Sequence, residues 1–376
     1  MRAARTAAVS LTALALAAIG LVGAYRYWES YYVHRGFAPV AYVRNARRGT
    51  LLTVHFYSQA LHREADYLID LPPGYNPNGH RRYPVYYLLH GSPGRPAAFL
   101  VIAHMPTRMS NLIAEHRMRP MILVLPDGRI GGSTFSDSEW ANTPAGDYQS
   151  YVVDVVHDVD RRFLTIANRQ DRVLAGFSMG AYGAINVGLH NLELFGNLQA
   201  WSGYYLQTRT GVFAHASRAM LRDNSPLDYV WGLRSEIARY PVRVFLFCGR
   251  DDEAAVQVRP MADALAAVGA QVSWALYPGG HDWQLWNAHV DQMLELASRD
   301  TLLPLGRSSG AAQSLTPGVR PAARRRAAAH GRGPGRRGAA PGLGARRRTS
   351  PDRRGFASGL SPRRRQRRRH RRASRR

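Results

Sequence analysis

The chain has 376 residues, 45% hydrophobic and 10% aromatic, a composition that suits one large globular domain with appendages and excludes a wholly disordered or collagen-like chain. Its formal net charge of +25 is uneven: residues 301–376 hold 23 Arg and one acid, Asp352, so +22 belongs to that stretch and only +3 to residues 1–300. The high isoelectric point therefore says little about the globular part, and the single cysteine, Cys248, excludes an intramolecular disulfide and a cysteine-based zinc cluster.

Arg2 and Arg5 precede an apolar run from Ala7 to Tyr25, broken only by Ser10 and Thr12. A run of about 19 apolar residues just spans a bilayer. Basic residues on its N-terminal side keep the start in the cytoplasm and export the rest. Residues 1–30 thus read as a signal peptide or a membrane anchor helix. The run is long for a signal, and Val22-Gly23-Ala24 is a weak cleavage site, which favours the anchor. The expected location is extracytoplasmic, membrane-anchored or secreted.

Residues 31–300 alternate strand and helix patterns. Thr50–Tyr57 and Ala65–Leu71 read as an opening antiparallel pair, stopped by Pro72-Pro73-Gly74. Val85–Leu89 and Met121–Leu125 are continuously apolar or aromatic and read as buried strands. Helical patches lie between them at 97–104 and 109–116. Tyr148–Phe163 is an amphipathic helix with Val152, Val155, Val156 and Val159 on one face. Asp171–Ala175, Leu198–Trp201, Val242–Cys248 and Val272–Tyr277 complete the strands. Ala181–His190, Pro260–Val268 and Trp286–Ala297 are the later helices. Residues 205–240 are irregular and placed to cover a site as a cap. Such alternation predicts an α/β domain with a mostly parallel central sheet and helices on both faces.

Between the strand ending at Ala175 and the helix starting at Ala181 stands Gly176-Phe177-Ser178-Met179-Gly180. This is G-x-S-x-G, the nucleophile elbow of the α/β-hydrolase fold. The turn is tight, and a β-carbon at Gly176 or Gly180 would strike the neighbouring strand or helix. A serine hydroxyl needs a base to take its proton and a third group to orient that base. In this fold the chain order is Ser, acid, His. Ser178 is therefore assigned as nucleophile and His281, in Gly279-Gly280-His281 after the last strand, as base. Asp252, just past Cys248, is the orienting carboxylate, with Asp251 its rival and Glu253 third. Backbone amides of Met179 and of Ser92, in His90-Gly91-Ser92-Pro93-Gly94, are expected to form the oxyanion hole. His90 is read as a brace for that loop. Trp140 and Trp283 are candidate substrate-binding aromatics, with Trp201 and Trp286 nearby, and Asp137, Glu139 and Asn142 are candidate contacts for a polar acceptor. No His/Asp/Glu cluster has metal-ligand spacing, so neither a metal nor a cofactor is expected.

Arg81–Gly94 (RRYPVYYLLHGSPG), Leu125–Trp140 (LPDGRIGGSTFSDSEW), Gly176–Ala184 (GFSMGAYGA), Trp201–Tyr205 (WSGYY), Cys248–Glu253 (CGRDDE) and Gly279–Trp286 (GGHDWQLW) follow one another in order. With these pieces the region of about 35–298 resembles the putative-esterase family of α/β-hydrolases. That family includes S-formylglutathione hydrolase, feruloyl and acetylxylan esterases, enterochelin esterases and secreted mycolyltransferases. The resemblance implies acyl chemistry, and its G-x-x-D pattern selects Asp252 as the acid. GGSTFSDSEW and HDWQLW are similar to the mycolyltransferases, which however use Glu as the acid and lack the second elbow glycine.

An exported serine esterase is the expectation, acting on a small-molecule or glycolipid ester. An acyltransferase to a sugar or lipid hydroxyl is the alternative. A further alternative is a catalytically silent wall-binding module. Residues 301–376 hold almost no large apolar side chains and are expected to be a disordered Arg-rich tail. It would contact polyanions, or it is a wrong-frame translation of GC-rich DNA.

Overall fold

A computed structural model describes residues 2–133, 135–306 and 311–315. The expectation for the Arg-rich tail beyond residue 315 lies outside the described residues.

Helix α1 (Arg2–Trp28) carries the apolar run, and a five-residue π-turn, Glu29–Val33, follows it. Strands β1 (Thr50–Ser58) and β2 (Arg63–Leu71) form the antiparallel pair. Then come β3 (Val85–Leu89), α2 (Ala98–Val101), α3 (Met105–Ala114) and β4 (Ile122–Pro126). A two-residue hairpin, β5 (Asn142–Thr143) with β6 (Gly146–Asp147), leads into α4 (Tyr148–Arg162). The elbow joins β7 (Arg172–Phe177) to α5 (Met179–His190). Strand β8 (Asn197–Trp201) is followed by three short helices, α6 (Arg218–Asp223), α7 (Pro226–Tyr229) and α8 (Arg234–Arg239). The chain closes with β9 (Arg243–Gly249), α9 (Ala255–Ala267), β10 (Gln271–Tyr277), α10 (Trp283–Asp300) and β11 (Gln313–Ser314).

The main sheet runs in the order β1-β2-β4-β3-β7-β8-β9-β10-β11. Pairing is antiparallel for β1–β2 and β2–β4 and parallel from β4 onward. The chain steps from β3 to β4 on one side and returns to place β7 on the other. Between β3 and β7 the strand order reverses, and in an open α/β sheet that crevice is where a ligand sits.

Alternation along the strands feeds two cores. Val85, Tyr87 and Leu89 of β3 pack with the faces of α4, α5 and α9, among them Val152, Val156, Ile185, Met261 and Leu265. Tyr86 and Leu88 point the other way, onto Met105, Met109 and Leu112 of α3 and Val290, Met293 and Leu294 of α10. Both sheet faces are covered, so the central strands read as continuous apolar runs.

Three differences from the sequence reading have physical causes. Helix α9 begins at Ala255, five residues before the expected start at Pro260, and carries that proline inside it. Proline favours a helix's first turn, but this one sits at the second. Residues 205–240 are not irregular: short helices there pack against α5 and α9, with the Tyr182 hydroxyl donating to the Asn224 carbonyl at 2.9 Å and Tyr229 to Asn186 Oδ1 at 3.0 Å. Residues 301–306 and 311–315 still belong to the packed body. Buried Thr301 accepts from Arg119 Nε at 3.1 Å, and the Leu315 amide donates to the Trp274 carbonyl at 2.9 Å beside β11.

Candidate active site

The elbow is built from close backbone contact. A β-carbon on Gly176 would lie 2.1 Å from the Gly180 carbonyl oxygen, and one on Gly180 would lie 2.0 Å from that of Leu89. Both positions admit only glycine. Ser178, between them, adopts φ +55° and ψ −124°, a region costly for any side-chain-bearing residue. Its amide is tied to the Trp201 carbonyl at 2.9 Å, so the strained turn is fixed to β8.

Two loops converge on that serine from the carboxyl ends of β9 and β10. They lie backbone to backbone: a β-carbon on Gly249 would sit 2.2 Å from the Gly279 carbonyl oxygen, and the Asp251 amide donates to that oxygen at 3.0 Å. His281 Nε2 is 2.8 Å from Ser178 Oγ, and His281 Nδ1 is 2.8 Å from Asp252 Oδ2. The other Asp252 oxygen accepts the Ala254 amide at 2.9 Å. Burial by itself would raise the Asp252 carboxyl. The hydrogen bond from His281, the Ala254 amide and the imidazole's charge outweigh burial and hold it below its ordinary value. Asp251 and Glu253 are exposed, and the ring bonds to neither. Cys248 is fully buried, and burial with the nearby Asp252 charge pushes its thiol up, so it is no nucleophile.

The loop after β3 supplies the opposite wall. A β-carbon on Gly91 would meet Ser178 Cβ at 3.1 Å and the Phe177 ring at 2.9 Å, so this loop lies against the elbow. His90 braces it: Nδ1 donates to the Gly91 carbonyl at 2.9 Å, and Nε2 accepts the Gly128 amide at 3.0 Å. Ser92 Oγ donates to the Asp137 carboxylate. Among the described residues no protein acceptor takes the Met179 or Ser92 amide. Met179 is the first residue of α5, where backbone donors and the helix dipole favour negative charge.

Trp140 is not a substrate contact. It is wholly buried, its Nε1–H donates to the His90 carbonyl at 3.0 Å, and its ring fills the space beside Gly128 and Gly183. Left-handed φ values at Glu139 and Trp140 turn the ring inward. Trp201 is buried as well. Glu139 accepts from the Tyr204 hydroxyl at 2.5 Å and from Gln207 at 3.1 Å, and Asn142 pairs with Ser150, so neither is a free acceptor contact. Trp283 does face the site. With Phe177 and Trp286 it forms an aromatic wall, ring centroids 4.4–5.4 Å apart.

A cavity of about 550 Å³ opens between that wall and Ser178 and His281. Its far side is made by Ala98, Val101 and Ile102, by Trp28 at the end of α1, and by Tyr32 and Val33 just after it. No residue of 205–240 lines it, so the cap expectation is replaced by a wall from the N-terminal segment. Long-range contacts that no local pattern reports hold that segment: His34 Nδ1 donates to the Val101 carbonyl at 2.7 Å, and Asn111 grips the Val43 amide and the Ala41 carbonyl. A second cavity, about 620 Å³, reaches His281 beside Tyr204, Asp251, Glu253 and Gln257.

The sequence profile of the Putative esterase family matches residues 58–297, a span that contains all three residues of the relay. The chain belongs to that family. Among its relatives, the endo-1,4-beta-xylanase/feruloyl esterase of Xylanibacter ruminicola is 25% identical over 260 residues, 68% of this chain and 32% of that protein. The chain thus spans about a third of that relative's length. The acetyl esterase of Caldicellulosiruptor saccharolyticus is 25% identical over 275 residues, 66% of this chain and 98% of that one. A solved ferulic acid esterase superposes with a TM-score of 0.60 at 25% identity, covering 67% of this chain and 99% of its own. The S-formylglutathione hydrolase of Staphylococcus aureus has a TM-score of 0.55 at 17% identity, covering 67% and 100%, a likeness of fold. This chain therefore shares its α/β-hydrolase architecture with these solved structures.

Proposed function

We propose that the chain is a serine esterase that cleaves carboxylic esters through an acyl-enzyme on Ser178. The observation that carries this reading is the relay of two 2.8 Å hydrogen bonds, Ser178 to His281 to Asp252, beside two unengaged amides. Ser178 Oγ attacks the ester carbonyl carbon and passes its proton to His281 Nε2. Asp252 holds Nδ1–H and stabilises the imidazolium that forms. The carbonyl oxygen becomes an oxyanion within reach of the Met179 and Ser92 amides. The ester C–O bond breaks, and the leaving alcohol takes the proton from His281. Water then repeats the sequence on the acyl-enzyme and releases the acid and free Ser178.

The first cavity, with its wall of Phe177, Trp283 and Trp286, suits the acyl group. The second cavity, where Tyr204, Asp251, Glu253 and Gln257 offer hydrogen-bonding groups beside His281, suits the alcohol, and an alcohol held there in place of water would turn hydrolysis into acyl transfer. Helix α1 supports an exported, membrane-tethered enzyme, since its stretch Ser10–Trp28 is apolar, 19 residues long and unburied by the protein. The test is reaction with a fluorophosphonate and with p-nitrophenyl esters, wild type against Ser178→Ala. The variant should lose both labelling and nitrophenol release. A variant that keeps wild-type release would refute the serine mechanism.

A further inference from the structure

The last turn of α1 and the residues that follow it meet the bilayer and the acyl cavity at once. Five of the eight residues Tyr25–Tyr32 are aromatic (Tyr25, Tyr27, Trp28, Tyr31 and Tyr32), with Arg26 among them, at the C-terminal end of the apolar stretch. Tyr and Trp concentrate where lipid tails give way to headgroups. Trp28 and Tyr32 are 53% and 62% exposed, yet both also line the cavity that holds Ser178 and His281. Two cations, Arg35 and Arg95, line the same cavity, where they suit anionic headgroups. The segment is anchored to the catalytic body through His34, which bonds Val101 and stacks on His104 with centroids 5.5 Å apart.

From this juxtaposition we infer that the membrane helix supplies part of the acyl-binding wall, and that the substrate is a long-chain ester drawn from the bilayer in which α1 sits. This rests on the esterase reading and on α1 as a retained anchor. It adds a substrate class, the membrane amphiphile, and a reason for the tether. The aromatic belt sets the cavity mouth at headgroup depth, so an acyl chain passes from bilayer to cavity along Trp28 and Tyr32 without crossing water. Each methylene spared that exposure favours transfer.

The full chain, reconstituted in phosphatidylcholine vesicles, would be treated with a hexadecyl fluorophosphonate carrying a mid-chain diazirine. Ser178 Oγ displaces fluoride, forming the O–P bond as the P–F bond breaks, and the serine proton leaves with it. Light then expels N2, and the carbene inserts into the nearest wall. Trypsin cuts after Arg26 and Arg35, so the expected crosslink lies on the peptide 27–35. Labelled Ser178 with crosslinks only elsewhere would overturn the inference and leave the esterase reading intact. Absence of labelling at Ser178 would sink both. In a second arm, p-nitrophenyl palmitate is placed either in the enzyme's own vesicles or in separate ones. Hydrolysis should be at least about tenfold faster in the shared vesicles, and equal rates would contradict delivery from the bilayer. Trp28→Ser with Tyr32→Ser should lower the palmitate-to-acetate ratio of kcat/KM by about tenfold, the worth of one or two methylenes of lost apolar contact.

Discussion

The indole N–H of Trp140 donates to the carbonyl oxygen of His90, the residue that opens the loop after β3 carrying the proposed oxyanion donor Ser92. On the proposed mechanism Trp140 acts on the reaction only by holding that loop. Trp140→Phe keeps the apolar ring and leaves a buried carbonyl without its donor. kcat/KM should fall about tenfold, mainly through kcat, because a loop moved by a fraction of an ångström weakens the oxyanion contacts. Trp140→Ala should also cost about 3–5 kcal/mol of stability in chemical denaturation. Wild-type kinetics in Trp140→Phe would show that the loop holds itself.

The two adjacent acids should separate cleanly. Asp252→Asn preserves shape but removes the acceptor that fixes the His281 tautomer, so kcat should drop about 10³–10⁴-fold. Asp251→Asn removes an exposed carboxylate that does not touch the ring and should change kcat by less than about threefold. Equal losses in steady-state assays of the two variants would mean the wrong acid carries the relay.

Backbone contact at the elbow predicts a sharp contrast among glycines. Gly176→Ala and Gly180→Ala place a methyl about 2 Å from a carbonyl oxygen and should abolish soluble folded protein. Gly232→Ala, with open space around it and an ordinary φ, should melt within about 2 °C of wild type. The soluble yield of the first two variants and thermal unfolding of the third check this.

Asp70, buried in β2, has its carboxyl raised by burial to about 7. The unfolded chain ionises near pH 4, whereas the folded chain stays protonated up to about 7. Stability should therefore fall as pH rises through that window and level off above it. Asp70→Asn removes the penalty. It should raise the melting temperature at pH 8, by the equivalent of about 2–4 kcal/mol at most, and have little effect at pH 4. A larger gain at pH 4 than at pH 8 would contradict the assignment.

Most of the fold was legible because the strands of this sheet are buried on both faces and read as unbroken apolar runs, as Val85–Leu89 and Ile122–Leu125 do. The relay was legible because Gly176, Gly180 and the spacing of Asp252 and His281 are imposed by backbone geometry that leaves a local signature. What escaped depends on side-chain direction or distant contact. Trp140 lies in a site loop, but only the left-handed turn at Glu139–Trp140 decides that it points inward. The cavity wall at Trp28–Arg35 rests on partners such as Val101, 67 positions from His34, and no periodicity announces it. Residues 205–240 lack a long helical pattern because their helices are only four to six residues long and borrow stability from α5 and α9.

The central claim is an acyl-enzyme on Ser178, and rapid acid quench followed by intact and peptide mass spectrometry tests it most directly. With p-nitrophenyl butyrate in excess, wild type should show a burst of one nitrophenol per chain and one butyryl group on the peptide that contains Ser178, and Ser178→Ala should show neither. Steady ester hydrolysis with Ser178 never acylated, or retained in Ser178→Ala, would contradict the account.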